Sequence, residues 1–440
     1  MRLIVLILIL LTIPVSAEII EVCPNPYNYK AEYVKVRCNT TCILSDGEGN
    51  ITLSKGVHYL TKNATAFFNE FGFNPDLEFK GKFALSNSRD EIFLYEDGKI
   101  DSFEYKNPEK GIIYYRENGR WKERFEDWTN FKPIRDYVEG EVIVTPSNFV
   151  FTADTIVSYV FTTDKYVRGN YSLYLDANPV GGIPVNEMEI AREHKTCFLD
   201  SNSYRFFHWK FGLNGDEIVI TTENWRWDNI GFIVHFKSES ISKYLRKILE
   251  HDKIYCTKHG KMSELKAFGS LGGVGRSYKF EGNITVFVIP DYNPIYDLMR
   301  SAKHEIYIMA PYIRFKDTEF LEILRNKSCK IKVITSDENC AKFLEYFGEK
   351  NGLNLEVEVD ERVHGKLIIV DDRAVITSAN LDKYGMSRNR EIGVILEGEI
   401  VNSLKDLFNQ REDVLFLPSI ILLSIAVLVV YFFFRRLQAS

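Results

Sequence analysis

Two stretches decide the fold: FHWKFGLNGDEIVITTENW (residues 207–225) and VHGKLIIVDDRAVITSANL (residues 363–381). Set one beneath the other without a gap, they align His208 with His364, Lys210 with Lys366, Asp216 with Asp372, Thr222 with Ser378 and Asn224 with Asn380, at a constant offset of 156 residues. A His, a Lys, an Asp, a hydroxyl and an Asn recurring inside matched alternating runs mark an internal repeat. Beyond each stretch NIGFIV (229–234) answers EIGVIL (391–396), after a loop six residues longer in the second copy.

Around the second stretch the order of elements is α/β. Strands are expected at 284–288, 305–310, 330–335, 355–359, 364–370, 373–377 and 392–396, with helices at 295–302, 318–326, 339–350 and 401–411. This reads as a mixed sheet covered by helices, occupying 282–411. The first copy, 141–281, is less regular, and the helix expected before 155–161 is short or missing.

Alternation along 364–370 puts His364 and Lys366 on one face, and the next strand can bring Ser378 and Asn380 alongside as a phosphate cradle. An imidazole can attack phosphorus or deliver a proton near neutral pH, while Lys and Asn bind nonbridging oxygens. One copy has one histidine. Two facing copies supply a nucleophile and an acid, as a two-step displacement at a phosphodiester requires.

HGKLIIVD with TSAN in the second copy resembles the HxK(x4)D and Ser-x-Asn signature of the phospholipase D superfamily. The resemblance spans about 140–411. It implies a covalent phosphohistidine intermediate, no metal or other cofactor, and transfer to water or an alcohol. It makes His208 the nucleophile and His364 the acid, with Lys210, Asn224, Lys366, Asp371, Ser378 and Asn380 completing the site and Glu391 orienting a histidine. Asn229 takes the place equivalent to Glu391 in the first copy. That copy departs from the signature, since HWKFGLNG puts Gly215 where Asp371 stands, and Thr221 and Thr377 occupy the customary Gly position. Asp371 and Asp372 are expected to stabilise a hairpin rather than touch substrate. Trp209, Trp225 and Trp227 read as core in preference to a stacking surface, and Arg388 and Arg390 as phosphate contacts or solvated loop charges. The remaining histidines show no partner spacing.

Residues 18–140 read as short β runs (32–37, 83–85, 91–94, 111–115) between turns such as Asp46-Gly47 and Asp97-Gly98, which is a small β-sandwich. EVCPNP, EYVKV, FKGKFALSN, EIFLYEDGKIDSFEY and WKERFEDW resemble a lamin-tail domain, an immunoglobulin-like sandwich, and imply an accessory role.

With 440 residues, 45% apolar and 26% charged, the chain can bury cores, and collagen, coiled-coil and low-complexity architectures are excluded. A net charge of −6 means that an anionic substrate must be caught by a local site. Scarce glutamine beside abundant Lys, Glu and Ile leans towards a thermophilic source. Residues 1–17 have the form of a cleaved secretory signal, and 414–434, uncharged and followed by Arg435-Arg436, that of a membrane-spanning helix with a cytoplasmic tail at 435–440. Six Asn-x-Ser/Thr sequons, at Asn39, Asn50, Asn63, Asn170, Asn283 and Asn326, are compatible with export to the outer face of the cell membrane. Among seven cysteines, a bridge is expected within Cys23, Cys38 and Cys42, and none between Cys329 and Cys340.

The sequence thus predicts an exported, membrane-anchored phosphodiesterase acting on DNA, active without obligatory oligomerisation. The alternatives are a phospholipase D or phosphatidyl transferase acting on membrane lipids, and a catalytically inactive surface binding module.

Overall fold

The computed structural model describes residues 17–117, 119–263, 275–313 and 318–409. The expected signal segment, apart from Ala17, and the expected spanning segment lie outside the described residues. Among the described residues no helix is long and apolar enough to cross a membrane. The chain divides into two units after Trp128. The division falls before the expected residue 140, because Ile134–Val144 pairs along its whole length with a strand of the second unit.

Among its described residues the first unit is all-β apart from one helix. A six-stranded sheet runs in the order Arg120–Phe125, Ile112–Glu117, Glu18–Cys23, Tyr33–Cys38, Gly56–Thr61 and Leu77–Glu78. A four-stranded sheet runs Asn50–Leu53, Cys42–Ser45, Arg89–Glu96 and Lys99–Lys106. Ile19, Val34, Val36 and Leu60 of the first sheet share one core with Leu44, Leu53, Ile92 and Leu94 of the second, which makes a sandwich. The Asp97-Gly98 turn is the expected tight hairpin, both residues having positive φ (48° and 76°). Residues 83–85 are not a strand: the Ala84 and Ser86 amides donate to the carboxylates of Asp46 and Asp90 instead of to a ladder. Helix Ala64–Phe71 went unread in the sequence; the Asn63 side chain accepts from the Ala66 amide to cap it, and it buries Phe67 against Tyr33.

The second unit holds the repeat. In chain order its strands are β1 (Ile134–Val144), β2 (Thr155–Ser158), β3 (Ser172–Asp176), β4 (Lys195–Leu199), β5 (Phe211–Asn214), β6 (Glu217–Thr221), β7 (Phe232–Lys237), β8 (Arg276–Ile289), β9 (Glu305–Ala310), β10 (Lys330–Thr335), β11 (Leu355–Val359), β12 (Leu367–Val370), β13 (Arg373–Thr377) and β14 (Glu391–Glu397). They form one sheet in the order β4-β3-β2-β5-β6-β7-β1-β8-β14-β13-β12-β9-β10-β11, with Cys256–Thr257 added beside β4. The order reads the same from either end, since each strand of the first copy has its counterpart in the second. The parallel trio β2, β3, β4 matches β9, β10, β11, and the other pairings within each copy are antiparallel. The copies join through antiparallel β1 and β8, from Ile134 opposite Val286 to Val144 opposite Arg276.

Helices Ile295–Ser301, Thr318–Arg325, Glu338–Asn351 and Glu399–Asn409 stand within a residue or two of the expected bounds. The first copy has no helix between β1 and β2; instead a two-stranded pairing of Phe151–Thr152, before β2, with Val167–Arg168, after it, flanks that strand. Trp225 and Trp227 are buried in its core, their indole N–H groups donating to Val157 and Phe149 carbonyls. The disulfide is not the expected one. Cys197 and Cys256 are bonded, while Cys23, Cys38 and Cys42 are not. The sequence separation of 59 hid the pair, which β4 and its short edge partner bring to a Cα–Cα distance of 5.3 Å.

Candidate active site

The His-x-Lys segments lie just before β5 and β12, outside the ladder in which the sequence placed His364. The cause is a cross-connection between the copies. The His364 and Gly365 amides both donate to the Ile230 carbonyl of the first copy (3.0 and 2.7 Å), and the His208 amide donates to the Arg390 carbonyl of the second (2.9 Å). Gly365 is required there, because a Cβ would stand 2.7 Å from the Phe232 ring and 2.9 Å from the Gly231 Cα.

Crossing over brings each histidine to a carboxylate of the other copy. His208 Nδ1 lies 2.9 Å from both Glu391 oxygens, and His364 Nδ1 lies 2.9 and 3.0 Å from those of Glu223. A carboxylate accepting from Nδ1–H fixes the tautomer that leaves a lone pair on Nε2, and no described residue bonds either Nε2. Glu391 was expected in this role. Glu223 was not: the sequence pointed to Asn229, and the structure delivers the acid from inside the Thr-x-Asn element, where the second copy has Ala379. A Cβ at Gly231 would lie 2.2 Å from Glu223 Oε1, so this glycine makes the room. A buried Glu between Thr222 and Asn224 was the available signal.

The hydroxyls of the repeat serve the carboxylates instead of a phosphate. Ser378 donates to Glu391 (2.5 Å) and Thr222 to Glu223 (3.0 Å), and each hydroxyl oxygen also accepts a backbone N–H, from Ile392 and Phe232 (both 3.0 Å). Burial works to raise both glutamates, but His208 and Lys210 hold Glu391, and His364 and Lys366 hold Glu223, below the usual carboxylate range.

Lys210 and Lys366 are fully buried. Lys210 Nζ donates to the His208 carbonyl (2.5 Å), whereas among the described residues Lys366 Nζ has no hydrogen-bond partner, and neither has Asn224 Oδ1. Burial and the neighbouring Lys366 push the Lys210 amine down to about 7, against the pull of Glu391. Burial, helped by Lys210 and Lys366 and opposed by Glu391, brings His208 down to about 4. His208 is therefore a neutral imidazole at pH 7, and its side chain is 11% exposed against 36% for His364. The charges of both copies act on one another, so the two motifs make a single site.

Asn380 Nδ2 donates to the Tyr312 hydroxyl (2.8 Å), beside the site. Asp371 leaves it: with φ of 51° it turns the β12–β13 hairpin, and its carboxylate accepts from the amides of Lys303, His304 and Glu305. Gly215 (φ 60°) makes the same turn in the first copy, its amide donating to Asp154, which is why the missing Asp does not unmake that copy. Arg388 and Arg390 are not solvated loop charges; both are buried. The Arg390 guanidinium bonds Asp252 (2.8 and 3.1 Å), Asp291 (3.0 Å) and the Thr129 hydroxyl (3.1 Å), between the Tyr204 and Trp209 rings.

Residues 295–411 match the family described as cardiolipin synthase, PLD-like domain. No curated protein matches the chain significantly. Similar solved structures include NucT from Helicobacter pylori, at 15% identity over 29% of this chain and 93% of that one with a TM-score of 0.25. Nuc from Salmonella typhimurium, a phospholipase D family member, is 19% identical over 30% of this chain and 93% of its own, with a TM-score of 0.26. Phosphatidylserine synthase of Haemophilus influenzae is 11% identical over 61% of this chain and 81% of its own, with a TM-score of 0.40. The family match falls on the second copy and ends two residues beyond Asn409, the last described residue. Residues 295–411 carry a PLD-like domain.

Proposed function

We propose that the second unit is a phosphodiesterase working through a phosphohistidine, that its substrate is DNA, and that the protein is exported and held at the membrane by residues 414–434. The observation that carries the chemistry is the fully buried Lys366 amine, without a hydrogen-bond partner among the described residues and set among two carboxylate-oriented imidazoles. Burial draws the proton affinity of this amine down, against the pull of Glu223 and Glu391, and a bound phosphate would supply the missing acceptors and favour its charged form.

His208 Nε2 attacks phosphorus in line while His364 Nε2, protonated, gives its proton to the leaving oxygen. The P–O bond breaks as the P–N bond forms. Water then attacks the phosphohistidine, its proton passing to His364, and His208 is released. Lys210, Lys366 and Asn224 stabilise the equatorial oxygens. The burial of His208 and its low proton affinity support it as nucleophile, and the greater exposure of His364 supports it as the group that meets water. The Cys197–Cys256 disulfide and the apolar segments at each end of the sequence support export.

Labelled single- and double-stranded DNA and fluorescent phosphatidylcholine and phosphatidylglycerol should be offered in EDTA, with His364→Ala as control. DNA cleavage that survives chelation and vanishes in the variant is expected. Turnover of lipid alone would replace DNA by lipid as substrate, and silence on every substrate would leave a binding module.

A further inference from the structure

A line of rings runs from the buried nucleophile to the surface. The Tyr159 ring stands edge-on to His208 at 4.6 Å, and Phe206 edge-on to Tyr159 at 5.6 Å. The Arg205 guanidinium lies over Phe206 at 5.0 Å and over Tyr384, of the second copy, at 5.7 Å. The Arg205 amide, donating to the Arg388 carbonyl (3.0 Å), fixes the backbone of this crossing. Tyr384 is 48% exposed, and Arg205 is exposed. Among the described residues no carboxylate pairs with Arg205, so its charge is spent on no internal partner. Held between two rings, its planar fork is pre-oriented at little entropic cost.

Resting on the phosphodiesterase reading, the geometry points to this ledge as the subsite for the nucleotide that flanks the scissile phosphate of a single-stranded nucleic acid. Arg205 takes the neighbouring phosphate and the half-exposed Tyr384 ring stacks on its base. An aromatic face beside a free guanidinium suits a base and its phosphate, since every base has a π-face, and it provides a local catch in a chain whose net charge is −6. A base-paired strand keeps its bases stacked inside the duplex and cannot offer one.

The test compares two substrates, bis(p-nitrophenyl) phosphate and a labelled twelve-residue oligothymidylate, in the full chain. Arg205→Ala and Tyr384→Ala are expected to lower kcat/KM for the oligonucleotide about tenfold more than for the small diester, chiefly through KM. Tyr384→Phe, which keeps the ring, should restore the oligonucleotide value. In a His364→Ala background, anisotropy of the same oligonucleotide should lose affinity on adding Arg205→Ala, with its dependence on log salt falling by about one unit. Equal losses on both substrates, no loss on the oligonucleotide, or a loss confined to phosphatidylglycerol vesicles would overturn the subsite. No turnover of the small diester by the unaltered protein would count against the phosphodiesterase reading, and the ledge would then stand or fall on anisotropy.

Discussion

Arg390→Met tests what holds the two copies in register. The guanidinium is 0% exposed, as are the side chains of Asp252, from the first copy, and Asp291, from the second. Its amide also donates to the Phe206 carbonyl (2.8 Å) and its carbonyl accepts from His208, so its anchored side chain steadies the nucleophile's segment. Removing one partner of a buried ion pair costs about 3–5 kcal/mol, because the other partner is left charged and unbonded. Two carboxylates are abandoned here, so a loss of about 4–5 kcal/mol is expected, roughly three decades in the unfolding constant. Urea denaturation read by tryptophan fluorescence is the assay, since Trp209 packs on the guanidinium. Neutralising the partners in R390M/D252N/D291N should recover most of the loss, and kcat of the single variant should fall more than its KM changes. A loss below about 1 kcal/mol, or a triple variant no better than the single, would refute the reasoning that unpaired buried charge is what matters.

Glu223→Gln and Glu391→Gln should each lower kcat by about a hundredfold or more with KM little changed, since each amide can hold the wrong tautomer of its histidine; steady-state kinetics on a small diester decide it. Lys210→Met should be inactive yet more stable at pH 7, by about 2–4 kcal/mol in urea. The folded amine sits near 7, below its ordinary 10.5, so the unfolded chain binds more protons between those values and wild-type stability rises with pH across that window; the variant should lose this slope, and equal slopes would count against it. Reduction, or Cys197→Ser with Cys256→Ser, should cost about 4 kcal/mol by freeing a loop closed over a separation of 59 residues, read as a lower urea midpoint. Asp371→Ala should lower the melting temperature while changing kcat by less than threefold, because its carboxylate ties the hairpin to the three backbone amides that lead into β9.

The repeat was legible because its signal is local. Short continuous apolar runs such as LIIV and RAVIT, and the Asp337 and Gly352 caps around Glu338–Asn351, name their own structure, and the second copy's elements follow with small shifts at their ends. His208, Lys210, His364 and Lys366 were legible for a different reason: the offset of 156 ties them together without any knowledge of space, while Glu391 was read from the family resemblance. The cysteine pairing was not legible, nor was Arg390's burial, because each depends on partners dozens or hundreds of residues away.

What the sequence by itself determined is that two copies of one His-x-Lys unit exist and which side chains define them. What only the tertiary structure decided is how the copies exchange parts. A repeat read in one dimension pairs His364 with its own copy and looks for a counterpart of Glu391 at Asn229. Joining two copies edge to edge through antiparallel β1 and β8 brings each His-x-Lys segment onto the other copy's backbone, where Glu223 meets His364 and Glu391 meets His208. Those carboxylates are 141 and 183 residues from the imidazoles they orient, and no local propensity encodes a contact created by packing one copy against the other.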